Sequence, residues 1–404
     1  MRVTIKPSRA VGTVNAPPSK SMSHRLLICA GMSKGESVIH SLAPSEDVFA
    51  TIDCLRAMGV EVDFDIEKST ARVRGVDFTS AIPKSELFCR ESGSTLRFFL
   101  PAMLLSGEKV TLTGAPSLMR RPMEVYRDLC AKQKLMYEQG DNSITVRGVM
   151  KSGRYTVPGN ISSQFISGLL FALPLLDGNS TISITPPIES RSYISLTISA
   201  LEEFGVSVKW KDERTLFIEG NQTYKAHECV VEGDYSNAAF LDGFNLLGGD
   251  VRVAGLKEDS LQGDRIYSRY YELLRVGSPT LHIGDCPDLG PVLFALAGAG
   301  YGGVFGGTRR LKIKESDRAA AMAQELSKFG VSVTVEEDSV VIYPADFHAP
   351  TTELCGHNDH RIVMALSLLL SRTGGVIEGA QAVEKSYPNF FDVLSELGIE
   401  VSVA

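Results

Sequence analysis

One pattern recurs along the 404 residues and restricts the fold more than any other feature. An apolar stretch of helical period runs into a glycine and then into a short alternating segment of the V-x-V kind. It appears at 52–64 (IDCLRAMGVEVDF), 195–210 (SLTISALEEFGVSVKW), 321–335 (AMAQELSKFGVSVTV) and 390–403 (FFDVLSELGIEVSV). Weaker copies stand at 125–138 (VYRDLCAKQKLMYE) and 269–283 (RYYELLRVGSPTLHI). Glycine after the last apolar turn suits a left-handed helix C-cap, and a period of two reads as a strand. Copies spaced roughly 50–75 residues apart indicate a repeat architecture. Further strands lie between them, such as SVIHSL, KVTLTG, STISIT, DVRVAG and GGVIEGA. The pattern predicts an α/β chain of small modules, three in each of two domains. The length also exceeds what one hydrophobic core usually serves. The divide falls near VVEGDYSNAAF, where a strand ends at Glu232-Gly233-Asp234 and a helix begins. The opening strand, RVTIKP, precedes the first module and fits either half on this pattern.

Charge and cysteine usage narrow the function. The net charge is −7, which argues against broad nucleic-acid binding, since that needs a basic face. Seven cysteines, at 29, 54, 89, 130, 229, 286 and 355, form no C-x-x-C pair and are odd in number. That fits reduced thiols in a cytoplasm better than a disulfide framework. MRVTIKPSR lacks the apolar core of a signal peptide, and ISGLLFALPLL and MALSLLLS are too short to span a bilayer. A cytoplasmic protein with no membrane or nucleic-acid partner is the expectation.

Against that acidic background, cations gather at the mouths of helices. Pro17-Pro18-Ser19-Lys20-Ser21-Met22-Ser23-His24-Arg25 leads into LLICAGM. Helix N-termini carry unpaired N–H groups and a positive dipole end, and Arg grips carboxylate or phosphate with two parallel bonds. Glu91-Ser92-Gly93-Ser94-Thr95-Leu96-Arg97 enters FFLPAMLL, and Gly93 permits close backbone approach to a ligand. Leu118-Met119-Arg120-Arg121-Pro122 places two arginines before a helix-opening proline. Ser162-Ser163-Gln164-Phe165 and Ser190-Arg191-Ser192-Tyr193 open two more helices. One such start is ordinary capping; five point to small anionic ligands. The second half adds Arg309-Arg310-Leu311-Lys312-Ile313-Lys314-Glu315-Ser316-Asp317-Arg318, expected as a strand of alternating cations running into a helix. Gly356-His357-Asn358-Asp359-His360-Arg361, Glu384-Lys385-Ser386-Tyr387-Pro388 and the lone acid Asp288 in CPDLGP complete the set. Glu315 among cations stays ionised unless buried, and a carboxylate so placed can move protons. His357 and His360 lack further ligands nearby, so no metal is expected. Gly298-Ala299-Gly300-Tyr301-Gly302-Gly303 satisfies G-x-G-x-x-G but follows a helix rather than a strand, which removes the dinucleotide reading.

PSKSMSHR, LMRRP, SSQF, KESDR, NDHR and EKSYP, in this order over nearly the whole chain, resemble the EPSP synthase family of enolpyruvyl transferases. The resemblance implies two similar hinged domains. Each has three βαβαββ units in pseudo-threefold arrangement, an inside-out α/β barrel. It implies transfer of the enolpyruvyl group of phosphoenolpyruvate to the 5-hydroxyl of shikimate 3-phosphate, on the shikimate pathway to chorismate. The route is addition and then elimination through a tetrahedral intermediate. Residues 16–232 are expected to bind shikimate 3-phosphate; residues 1–15 with 233–404 form the phosphoenolpyruvate side. Lys20, Ser21, Arg25, Ser162, Ser163, Gln164, Ser190, Tyr193, Asp288 and Lys312 would bind shikimate 3-phosphate. Lys20, Gly93, Arg121, Gln164, Arg318, Arg361 and Lys385 would bind phosphoenolpyruvate. Asp288 and Glu315, with Lys20 and Lys385, would handle protons. No cofactor is implied, and the family is usually monomeric. Glu91 replaces the Asn common in the family's loop, Phe98 replaces a Pro, and Arg191 stands where many members carry Lys. The sister transferase acting on UDP-N-acetylglucosamine shares the architecture, but its opening motif has Lys-Asn where this chain has Lys20-Ser21. A non-catalytic anion-binding relative is the other alternative.

Overall fold

The computed structural model describes residues 1–84 and 86–404. The chain divides into two compact units, Pro18–Glu232 and Met1–Pro17 with Gly233–Ala404. The opening strand Arg2–Ile5 therefore belongs with the C-terminal residues.

The repeat is visible in each unit. In the first, strands Leu87–Phe88 and Val110–Thr113 pair in parallel, and Ser143–Arg147 and Met136–Gln139 extend the sheet antiparallel. Helices Gly93–Ala102 and Glu124–Gln133 fill the crossovers, giving βαβαββ. Arg154–Ile218 repeats this order, with sheet strands 154–158, 180–185, 215–218 and 208–210. The remaining module starts with helix Lys20–Gly31, so its first strand is supplied by Glu228–Val230 from the end of the unit. The second unit uses the same device. Arg2–Ile5 lies between Gly375–Glu378 and Val401–Val403, completing the last module's sheet from the start of the chain.

The copies at 52–64, 195–210, 321–335 and 390–403 are built alike. Gly59, Gly205, Gly330 and Gly398 end their helices with φ between 77° and 89°, where a side chain other than glycine is disfavoured. The strand that follows is each time the outer antiparallel strand of its sheet. In the 125–138 copy Lys134 takes the left-handed place at φ 58°. The copy at 269–283 departs from the rule. Its helix Tyr267–Val276 ends at Gly277, whose backbone is extended, and Thr280–His282 pairs in parallel with Gly303–Gly306 as the first strand of the next module. So few residues separate helix from strand that no hairpin fits, and this module is a βαβα with a two-stranded sheet, Val11–Asn15 against Asp250–Ala254.

Helices occupy the middle and sheets face solvent. Lys20–Gly31, Gly93–Ala102 and Ser163–Ala172 are buried along nearly their whole length, whereas strands such as Thr70–Arg74 bury alternate residues only. Each sheet is an open ladder, so the units are inside-out in layering without any closed barrel among the described residues. Each unit has its own apolar core, centred on Leu26, Phe99 and Leu170 in the first and Phe294, Met322 and Leu366 in the second. Among the described residues, no helix is long and apolar enough to cross a membrane.

Candidate active site

In the first unit, three buried helices start from serines. Ser19, Ser92 and Ser162 accept hydrogen bonds from the backbone N–H of Met22, Thr95 and Gln164. The helix ends keep their positive character because the caps are neutral. Lys20 is held by Asp47, Nζ to Oδ2 at 2.8 Å, with both side chains largely buried. Arg25 donates through Nε to Thr197 Oγ1 at 2.9 Å and through Nη2 to the Tyr193 carbonyl at 3.0 Å. Its guanidinium lies 5.2 Å from the centroid of Phe98, the residue that departs from the family pattern. Burial lowers the Arg25 pKa to about 10, still charged at neutral pH. Ser190 caps its helix in the left-handed region at φ 56°, shortly after the cis Pro186–Pro187 pair.

A second group gathers around Gly93. Arg97 donates to Gln164 Oε1 at 2.7 Å, and Gln164 Nε2 donates to Ser94 Oγ at 2.9 Å. A Cβ added at Gly93 would sit 2.7 Å from Arg121 Nη1, so only glycine admits this arginine so close. Pro122 does not open a helix; the next one begins at Glu124. Arg191 is exposed and stacks over Trp210, 4.3 Å from ring centroid to guanidinium carbon. Beneath the site, His24 Nδ1 lies 2.7 Å from Thr51 Oγ1, and Thr51, Thr95 and Ser92 continue the chain of hydroxyls. Burial lowers the His24 pKa to about 3, so the ring is neutral.

The second unit assembles charges of both signs. Arg318 is almost fully buried and binds three carboxylates: Asp288 at 2.8 Å, Glu315 at 2.7 Å and Asp359 at 2.8 Å. Burial works against its charge, but Asp359, Glu315 and Asp288 outweigh that and raise its pKa. Asp288 reaches Arg361 Nη2 at 3.1 Å through its other oxygen. Arg361 is buried, and its Nε and Nη1 have no hydrogen-bond partner among the described residues. Asp359 caps the helix His360–Thr373 and accepts from Ser316 Oγ at 3.0 Å. Lys385 Nζ donates to the Asn358 carbonyl at 2.6 Å. Asp264, bonded by Ser236 Oγ at 2.9 Å, has its pKa raised to about 6 by burial and by Asp288.

The lysine beside Asp288 is Lys314, at 3.3 Å; Lys312 is exposed and outside this cluster. Arg309–Ile313 forms a 3₁₀ turn rather than the expected strand. A three-residue period turns Lys312 outward, whereas strand alternation would have put both lysines on one face. Burial lowers the Lys314 pKa, with Asp288 opposing the shift. Asp47 and Arg97 in the first unit, and Asp264 and Asp359 in the second, join these clusters without having been assigned a role from sequence. Asp359 lay within the quoted NDHR motif; Asp47 and Asp264 lay in segments with no distinguishing signal.

The family model described as EPSP synthase (3-phosphoshikimate 1-carboxyvinyltransferase) matches residues 5–394. This chain belongs to that family. The 3-phosphoshikimate 1-carboxyvinyltransferase of Clostridium kluyveri is 41% identical, covering 99% of this chain and 98% of the relative. That of Clostridioides difficile is 37% identical over 98% and 97%. Among solved structures, an EPSP synthase from Acinetobacter baumannii superposes with a TM-score of 0.79 at 24% identity, both chains covered in full. The enolpyruvyl transferase NikO from Streptomyces tendae gives 0.79 at 16% identity, over 99% and 98% of the two chains. At these identities the two show a shared fold and no more.

Proposed function

We propose that the two clusters divide the work of one carboxyvinyl transfer. The chain moves the enolpyruvyl group of phosphoenolpyruvate to shikimate 3-phosphate in the shikimate pathway. The observation that supports the division is Arg361, a buried guanidinium beside Asp288 whose Nε and Nη1 have no hydrogen-bond partner among the described residues. In this reading, Lys20, Ser21, Arg25, Ser162, Ser163, Gln164, Ser190 and Tyr193 bind shikimate 3-phosphate, with Asp288 and Lys314 rather than Lys312. Lys20, Gly93, Arg121, Gln164, Arg318, Arg361 and Lys385 bind phosphoenolpyruvate.

The substrates bring phosphates and carboxylates, so the cations offset several negative charges. The shikimate 5-hydroxyl attacks C2 of phosphoenolpyruvate, giving up its proton, while C3 gains one. The tetrahedral adduct then loses phosphate and a C3 proton, restoring the double bond. Asp288 and Glu315 exchange these protons, with Lys20 and Lys385 as further carriers. Arginines stabilise the departing phosphate. The reading takes the chain as a cytoplasmic monomer, consistent with its free cysteines; light scattering on the purified protein tests the oligomeric part.

The deciding experiment measures phosphate release with each substrate omitted in turn. Release that needs both, with the carboxyvinyl product by mass spectrometry, is the expected result. Tight binding of shikimate 3-phosphate without release would leave an anion-binding relative instead.

A further inference from the structure

Glu325 is fully buried and lies two turns beyond Arg318 on the helix Arg318–Ser327. Its Oε2 accepts from Lys328 Nζ at 2.8 Å and from the Cys355 backbone N–H at 3.0 Å; its Oε1 lies 2.9 Å from His357 Nε2. Lys328 also donates to the Glu353 carbonyl at 2.8 Å. Burial pushes the Glu325 carboxyl up, but the bonds from His357, Lys328 and Cys355 outweigh it and hold its pKa below the usual value. An ionised carboxylate therefore ties the segment 353–357 to the helix that bears Arg318.

The next residues show what this anchors. His357 and Asn358 are both left-handed, at φ 49° and 52°. Asn and His enter this region more readily than most residues, yet two in succession persist only where the surroundings over-determine them. The turn aims the Asn358 carbonyl at Lys385 and delivers Asp359 to Arg318, Ser316 and the Arg361 backbone N–H. Relaxing it would move the partners of Lys385 and Arg318 and shift the start of the helix that bears Arg361.

We propose that Glu325 is a positioning residue for phosphoenolpyruvate: through His357 it holds the left-handed turn that sets Lys385 and the Asp359-capped start of the Arg361 helix. This rests on the assignment of Arg318, Arg361 and Lys385 to phosphoenolpyruvate.

Steady-state kinetics test it on the full chain, with Glu325→Gln, His357→Gly, His357→Gln, the double variant Glu325→Gln/His357→Gly, and Arg361→Lys as reference. Glu325→Gln and His357→Gly are expected to raise the KM for phosphoenolpyruvate roughly tenfold, with kcat within about threefold and the KM for shikimate 3-phosphate unchanged. His357→Gln, which keeps a donor for Glu325, should stay near the parent, and the double variant should be no worse than Glu325→Gln alone. Glycine accepts the left-handed turn, so His357→Gly keeps the test open if Glu325→Gln fails to fold. An unchanged KM for phosphoenolpyruvate in these variants overturns the proposal, as do both KM values and kcat falling off together with Tm. If Arg361→Lys raises that KM and the Glu325 and His357 variants do not, positioning alone fails. If Arg361→Lys also leaves it unchanged, the underlying assignment fails too.

Discussion

The same helix positions are capped differently in the two units. In the first, Ser19, Ser92 and Ser162 begin the three central helices. In the second, Asp234 and Asp359 do so, and Asp288 precedes the third, Gly290–Gly298. A serine cap satisfies a backbone N–H without adding charge, so the positive helix end remains for a ligand; an aspartate cap cancels it. The first unit accordingly presents helix ends, hydroxyls and lightly paired cations. The second sets its arginines against carboxylates, with Arg361 keeping Nε and Nη1 without a hydrogen-bond partner among the described residues. One repeat thus carries two ways of placing positive charge at a helix start.

Removing a cation should then hurt the two units differently. Arg318→Met removes the buried cation that Asp288, Glu315 and Asp359 share and should cost about 3–5 kcal/mol of stability by urea unfolding, along with activity. Lys20→Met, which strands only Asp47, should lower kcat/KM by about 10²–10³ while the unfolding midpoint moves much less. Equal destabilisation by both would break the comparison.

Exchanging the caps sharpens it. Ser162→Asp keeps a good cap, so helix stability should hold, but the new charge should raise the KM for shikimate 3-phosphate about tenfold. Asp359→Ser should leave that KM unchanged and destabilise the fold by loosening Arg318. Gly93→Ala is a narrower test: its Cβ displaces Arg121 and should raise the KM for phosphoenolpyruvate severalfold with little change in Tm.

The smallest effects are in pH dependence, where the units should slope oppositely. His24 is a base whose folded pKa, about 3, lies below its unfolded value of 6.5. Its contribution is present above the unfolded value and is lost as pH falls toward the folded one. Asp264 is an acid raised to about 6 from 3.8, so its contribution is present below the unfolded value and lost as pH rises through the folded one. Tm measured across this range should fall less steeply toward acid in His24→Gln than in the parent. Relative to the parent, Asp264→Asn should gain Tm as pH rises from 4 to 7, the window between about the unfolded and folded values. Parallel curves for either variant would remove that residue from the account.

How much was readable in advance follows from range. Gly59, Gly205, Gly330 and Gly398 betrayed their modules because a helix, its left-handed cap and the following strand are consecutive in the chain. Motifs at helix starts were readable for the same reason: caps and dipoles act within a turn. Arg309–Ile313 read as a strand because the local pattern does not choose between a strand and a 3₁₀ turn, and the turn brings Lys314 rather than Lys312 beside Asp288. The abbreviated module that ends at Val276 also escaped, since its apolar pattern matches the others and only strand pairing reveals that Thr280–His282 belongs to the next sheet.

The sequence by itself determined the α/β repeat, the family and most of the residues that hold charge, because those rest on local geometry and on motif order. Tertiary structure alone decided the partners. Arg2–Ile5 closes a sheet with strands from the far end of the chain, and Asp47 finds Lys20. Glu325 finds His357, and three separated carboxylates converge on Arg318. The physical reason is that buried charge is stable only with a counter-charge at hydrogen-bond distance, and that distance is set by packing, not by spacing along the chain.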